Sequence, residues 1–357
     1  IFSKKPSIAL IEEGLDVIGK KYVERDNVNK DDLLYGAMKG MLEALEDPYS
    51  VFMKPQDSKI FKEDVEGSFG GIGAEIGMRD DTLTVISPLK GSPAEKSGLK
   101  AGDKILFVDK KDTSELSLDE AVHIIRGPKG TTVVLTVSRE GKEDKIEISI
   151  VRDTIRIPIL DWEKKERDIA YIALHHFTET SIEDFKKIAG DILKSDAKKI
   201  ILDVRNNPGG FLESAVEISG WFLKQGAIVV REERGLGSAE REYKSNGPAA
   251  FADYPIVVLI NKGSASASEI LAGALRDERG VTLIGETTFG KGSVQELLNL
   301  RDGSSIKITI SKWLTPNGIS IHENGISPDI EVQMSQDIFE KEGDVQLKRA
   351  IEVINDL

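Results

Sequence analysis

The chain has 357 residues, 39% hydrophobic and 31% charged, a balance that supports two or three packed domains and excludes a disordered or fibrous protein. A formal net charge of -13 excludes nucleic acid as the main partner, because a phosphate backbone would be repelled. With no cysteine there is no disulfide, thiolate metal site or cysteine nucleophile, and no apolar run approaches the ~20 residues of a membrane helix.

Because the chain opens at Ile1 rather than methionine, any membrane association is expected only through a signal or anchor segment ahead of it. Ile8, Ile11, Leu15, Ile18 and Tyr22 recur at three- and four-residue spacings and predict a first helix. Leu34, Met38, Met41, Leu42 and Leu45 predict a second, which Asp47-Pro48 ends. Core packing is the favoured reading of both apolar faces over a partner surface. Residues 66–152 then read as a compact mixed α/β module. Gly67, Gly70, Gly71 and Gly73 crowd its start, short strands follow, and Ser117-Leu-Asp-Glu120 is a capping box opening a helix. From about Arg156, strands such as Ala170–Leu174, Lys199–Val204 and Pro255–Ile260 alternate with helices, which predicts a largely parallel sheet. An amphipathic tail, 344–357, either docks on its own domain or meets a second subunit.

The stretch Asn261-Lys-Gly-Ser-Ala-Ser-Ala-Ser-Glu269 links a buried strand to a helix. Ser266 with Glu269 fits a capping box, the favoured local reading. The functional alternative uses the same turn, where a serine hydroxyl projects at the sheet's end and the following N–H groups face a developing oxyanion. A serine nucleophile needs a base. His123, His175, His176 and His322 sit in no supporting motif, and His175 and His176, adjacent in a predicted strand, point to opposite faces. Lys291 is the better candidate. As a base its pKa must fall from ~10.4 to near 7 or 8, about 4 kcal/mol against the charged form, which burial can supply. Phe289 and Val294 are expected to shield it.

Gly285, Gly290 and Lys291 also fit a phosphate-binding loop, G-x-x-x-x-G-K-[ST], with Asp203 imitating a Walker-B carboxylate. That reading fails at Gly292, where the magnesium-binding hydroxyl belongs, and at the strand-like run after it.

Together these residues resemble the C-terminal processing proteases, tail-specific serine peptidases of bacteria and chloroplasts. The similar blocks are Gly40-Met-Leu-Glu-Ala-Leu-Glu-Asp-Pro-Tyr-Ser50, Gly67-Ser-Phe-Gly-Gly-Ile-Gly73, Asp203-Val-Arg-Asn-Asn-Pro-Gly-Gly210, Ser264-Ala-Ser-Ala-Ser-Glu-Ile270, Gly285-Glu-Thr-Thr-Phe-Gly-Lys-Gly-Ser-Val-Gln295 and Gly325-Ile-Ser-Pro-Asp-Ile330. The resemblance implies an α/β multidomain protein with a crotonase/ClpP-like peptidase core (153–335). A PDZ domain (66–152) is inserted between a helical N-terminal assembly region (1–65) and that core, and a helical tail (336–357) follows it. It implies Ser266 as nucleophile, Lys291 as base and Gln295 as the residue orienting the lysine. Oxyanion donors would be the N–H groups of Gly209 or Gly210 and of Ala267. In the PDZ module, Gly71, Ile72, Gly73 and Ala74 would hold a substrate's C-terminal carboxylate beside an exposed strand edge. Arg126, at the end of the groove helix, favours that helix's dipole and is a candidate for coupling peptide binding to cleavage. No metal, nucleotide or other cofactor is implied. The expected partners are protein substrates and a second copy of the chain. The expected setting is extracytoplasmic, with a regulated, peptide-gated activity like that of relatives in Gram-positive spore formers. The rival classes are a PDZ scaffold with an inactive peptidase fold and a nucleotide-dependent enzyme.

Overall fold

The computed structural model describes residues 8–65, 68–79, 82–89, 91–116, 118–139, 141–142, 144–156, 159–166, 168–235 and 240–357. Gly67 and the Ser117 cap of the sequence reading lie outside them.

The predicted parallel sheet is present. Its strands run in the order Leu160–Lys164, Ile169–Leu174, Lys199–Asp203, Ile256–Ile260, Thr282–Gly285, Ile330–Glu331. The first pair is antiparallel and the rest are parallel. Ile256-Val-Val-Leu-Ile260 is apolar throughout because both faces of the sheet are covered. Ile200, Leu202, Val258 and Ile260 pack with the helices Ser181–Lys194, Leu212–Ser219 and Ala267–Arg279. Ile201, Val257 and Leu259, one residue out of phase, pack on Ala350 and Ile354 of the C-terminal helix Val345–Asp356. The tail therefore packs its apolar face on its own domain, the first of the two alternatives the sequence left open.

A second, antiparallel sheet was not anticipated beyond Ser293–Asn299. Its long strand Ser305–Leu314 pairs with Ser293–Asn299, Val51–Met53 and Ile228–Arg234. The small module has its own core and a sheet ordered Ala74–Arg79, Thr82–Pro88, Lys104–Val108, Thr132–Ser138, Ile146–Val151, so Ala74–Arg79 is an edge. Its entry strand Ser68–Gly71 pairs antiparallel with its exit strand Asp153–Arg156. Both ends of the insertion are thereby joined at one place.

The first two helices form as predicted, at Ala9–Lys21 and Lys30–Glu43. Their packing does not follow the prediction. Ile8, Ile11, Leu15, Ile18 and Tyr22 are exposed, and Leu42 is the buried residue of the second helix. His175 and His176 follow the strand that ends at Leu174; both their N–H groups face Ile159 O. The opposite-face argument for them therefore does not apply.

Candidate active site

Three serines stand at the turn from Ile256–Ile260 into Ala267–Arg279, and their surroundings differ. The Ser264 hydroxyl donates to Val204 O at 2.8 Å and accepts the Asn261 N–H at 3.0 Å. The Ser268 hydroxyl donates to Asn207 O at 2.9 Å. Both are buried and committed to backbone. Ser266 is partly exposed and holds φ 54° and ψ -113°, a conformation that costs a non-glycine residue about 1–3 kcal/mol. Strain of this kind persists only where its neighbours impose it. Asn261 pairs reciprocally with Asn206, accepting its N–H at 2.8 Å and donating to its Oδ1 at 2.9 Å. The serine turn is thus clamped to the Asn-Asn-Pro-Gly-Gly loop.

That loop is built around Asn207, which is fully buried. Its side chain donates to Leu174 O at 2.8 Å and accepts the Gly209 N–H at 2.9 Å, while its carbonyl accepts Ala265 N at 3.0 Å. Gly209 has φ 100°, and a Cβ on it would lie 2.8 Å from Ser266 Cβ. Gly210 has φ 140°, and a Cβ there would meet Phe177 O at 1.9 Å. Only glycine fits either place. Of the expected oxyanion donors, the Gly209 N–H is taken by Asn207. The N–H groups of Gly210 and of Ala267, the first residue of its helix, find no acceptor among the described residues.

Lys291 follows Gly290 on the neighbouring loop. Burial lowers its proton affinity, and the Glu269 carboxylate opposes that. Phe289, expected to shield it, is 58% exposed, so the shielding comes from elsewhere. Glu269 is fully buried and accepts from Thr288 Oγ1 at 2.6 Å, Gly290 N at 2.7 Å, Ser266 N at 2.7 Å and Lys291 N at 3.0 Å. Burial pushes its carboxyl up, against the pull of these donors. The sequence reading had seen Glu269 only as a helix cap; its ties to the lysine loop carry no local signal. The Gln295 amide donates to Ser293 Oγ at 2.7 Å and lies 3.4 Å from Thr309 Oγ1. Among the described residues no hydrogen bond joins Lys291 to Gln295 or to the Ser266 hydroxyl.

The glycines that imitated a phosphate loop have steric reasons. A Cβ on Gly285 would lie 2.1 Å from Ile260 O, and one on Gly292 would lie 2.1 Å from His322 N. Asp203 is spent on Arg205 at 2.6 Å and the Tyr171 hydroxyl at 2.7 Å. Arg205 continues to Asp344 at 2.7 Å, which ties the C-terminal helix to the sheet's end.

In the small module, Gly73 has φ 72°, and a Cβ there would meet Ser92 Cβ at 2.5 Å. Ile72 is buried in the module's core, and its carbonyl accepts Ala94 N at 2.8 Å. Gly71 lies in the entry strand, and Ala74 opens the edge strand. The helix Leu118–Ile125 is closed at its C-terminus by Arg152, which donates to Ile125 O at 2.8 Å and Ile124 O at 3.0 Å. Arg126 is half-buried and donates its N–H to Val122 O at 2.9 Å. The sequence reading missed Arg152, which reaches this helix from the junction of the strands Ile146–Val151 and Asp153–Arg156, distant in the chain.

A family model of peptidase family S41 matches residues 168–332, and a PDZ domain model matches 62–138. A model of the activating protease CtpB N-terminal domain matches 3–57. The carboxy-terminal processing protease CtpB of Bacillus subtilis (strain 168) is 41% identical over 346 residues, which span 96% of this chain and 71% of that protein. The chain belongs to peptidase family S41. A second relative of this S41 peptidase, the carboxy-terminal processing protease CtpA of the same organism, is 41% identical over 89% of the chain and 69% of its own length. Among solved structures, the photosystem II D1 C-terminal processing protease superposes with a TM-score of 0.58 and 26% identity, covering 91% of the S41 peptidase and 92% of that chain. The family resemblance, the α/β peptidase fold and the PDZ domain expected from the sequence are thereby established.

Proposed function

We propose that this S41 peptidase is a serine endopeptidase that processes the C-terminal segments of proteins through a Ser266–Lys291 dyad. The observation that carries the reading is the strained turn at Ser266, beside a half-buried Lys291 whose loop shares the Glu269 carboxylate. Lys291, neutral, takes the Ser266 proton, and Oγ attacks the scissile carbonyl. The oxyanion faces Gly210 N–H and Ala267 N–H at the helix N-terminus, with the Gly209 N–H reserved by Asn207. The amine leaves with the proton from Lys291, and water then releases the acyl group. Gln295, whose amide donates to Ser293 and Thr309 in the geometry described above, would leave those partners to orient the lysine, and a resting state before that change is part of this reading.

Peptide gating supplies the reason for such a state. The chain end of a substrate adds as a strand to the Ala74–Arg79 edge, with its carboxylate at Gly71–Ala74, and Arg126 at the end of the groove helix passes the signal on. The exposed apolar residues of the first two helices support a homodimer formed through the N-terminal region. The setting is extracytoplasmic, and no helix among the described residues is long and apolar enough to cross a membrane.

The test is cleavage of an unfolded protein without added nucleotide or metal. Ser266→Ala and Lys291→Ala, folded as judged by melting, are each expected to lose at least about a thousandfold in activity. Cleavage that survives Lys291→Ala would mean another base. If the wild type is silent until a peptide with an apolar C-terminus is added, the PDZ domain is the gate; silence even then supports an inactive scaffold.

A further inference from the structure

Gln295 stands opposite Thr309 in the antiparallel sheet. The neighbouring pair is Val294 with Ser311, so the ladder passes over Ile310 beside Gln295. An extra residue of this kind bends its strand and re-aims the side chains next to it. Cross-strand partners and alternate residues share one face of a sheet. The Gln295 amide accordingly meets two hydroxyls on that face, Ser293 Oγ at 2.7 Å and Thr309 Oγ1 at 3.4 Å.

The other edge of the strand that carries Thr309 is divided between two partners. Val51–Met53 pairs with 305–307, and residues 231–234 of Ile228–Arg234 pair with 311–314. Thr309 falls in the gap between them. Ser50, the residue before Val51, fills that gap, and its hydroxyl accepts the Thr309 N–H at 3.0 Å.

Ser50 is itself fixed. It is buried, and its hydroxyl donates to Asp47 Oδ2 at 2.5 Å. Asp47 also accepts the Tyr49 N–H at 3.0 Å. Against the effect of burial, hydrogen bonds from Ser50, Thr309 and Tyr49 hold its carboxyl below the usual carboxylate range. An ionised carboxylate only accepts, so the Ser50 proton points to Asp47 and the oxygen's lone pairs are left for Thr309. The donors therefore run one way, from Thr309 to Ser50 to Asp47. We propose that Ser50, braced by Asp47, is a positioning residue that holds Thr309 and, through it, the backbone from which the Gln295 amide turns toward Lys291. The amide can change partners while its strand stays in place. It follows that the N-terminal region supports the active site in addition to any part in assembly. The proposal rests on the reading of Gln295 as the residue that orients Lys291.

The experiment pairs steady-state cleavage of an unfolded protein by the full chain, with activating peptide where the wild type requires it, with NMR of the Gln295 side-chain amide, identified by its loss in Gln295→Ala. Ser50→Ala is expected to move that signal and to lower kcat on the order of tenfold with KM little changed. Thr309→Val, which swaps the hydroxyl for a methyl, is expected to do the same, and Thr309→Ser to keep the wild-type rate. In a Gln295→Ala background Ser50→Ala costs nothing further, because both act through one side chain. Should Ser50→Ala not fold, Ser50→Cys, a weaker acceptor in the same place, carries the comparison. An unmoved amide signal overturns the proposal. So does a loss that recurs in full in the Gln295→Ala background, the mark of a general defect in the sheet. A moved signal together with full activity in Gln295→Ala strikes the role of Gln295 alone and leaves its link to Ser50 standing.

Discussion

Ser266 and Lys291 share one acceptor: Glu269 Oε2 takes the N–H of the first at 2.7 Å and of the second at 3.0 Å. Their backbones are fixed relative to each other whatever their side chains do. Glu269→Gln replaces one buried acceptor with a donor aimed at donors, and each group left unpaired costs about 1–3 kcal/mol. Displacement of the two loops by about 1 Å is expected to cost on the order of a hundredfold in turnover. Melting and cleavage, measured together, check this; a variant with full activity would show that the bridge does not position the dyad.

Lys291 gives a stability prediction with a definite sign. Its folded proton affinity is lowered, first by burial, from the ordinary lysine value of 10.5. Between the two values the unfolded chain binds a proton that the folded chain does not, so stability rises with pH across that window. Below it the full cost of burying the charge remains. Lys291→Met is therefore expected to melt above the wild type at neutral pH, with an advantage that shrinks toward pH 10.5. An advantage independent of pH would contradict it.

Asn207 holds the Asn-Asn-Pro-Gly-Gly loop by one donated and one accepted side-chain bond. Asn207→Asp keeps the acceptor for Gly209 N–H and loses the donor to Leu174 O; Asn207→Ala loses both. The alanine variant is expected to be less stable by about 1–3 kcal/mol for each group left unpaired and to be the less active of the two. Equal activities would mean that the Gly209 bond is irrelevant to the reaction.

In the PDZ domain, Arg152→Ala removes the guanidinium that closes the groove helix at Ile124 O and Ile125 O. Hydrogen bonds from charged groups contribute about 1.5–3 kcal/mol each, so the domain should melt earlier and bind a C-terminal peptide less tightly. Arg126→Ala tests coupling instead. Unchanged peptide affinity together with unchanged turnover would remove Arg126 from the gate.

Most of the parallel core was legible because its apolar strands and helices have distinct periods, and their ends fall at Gly, Pro and Asn-rich turns. The second sheet was hard to read. Strands such as Val51–Met53 and Arg241–Lys244 are short, and the sheet's order follows from the long-range pairing of Val51–Met53 and Ile228–Arg234 to Ser305–Leu314. The site was legible as motifs. Its supports were not: Asn207 and Arg152 hold partners far away in the chain, and periodicity carries no such signal.

The sequence by itself determined the two α/β units, the family and the candidate residues Ser266, Lys291 and Gln295, because helix period, strand alternation and glycine-dependent turns are local. Tertiary structure decided what those residues touch. It committed two of three serines to backbone, gave the Gly209 N–H to Asn207, turned the C-terminal helix onto its own sheet and left the first helix uncovered. These outcomes depend on which surfaces meet, and burial and hydrogen-bond partners are set only when distant segments close on one another.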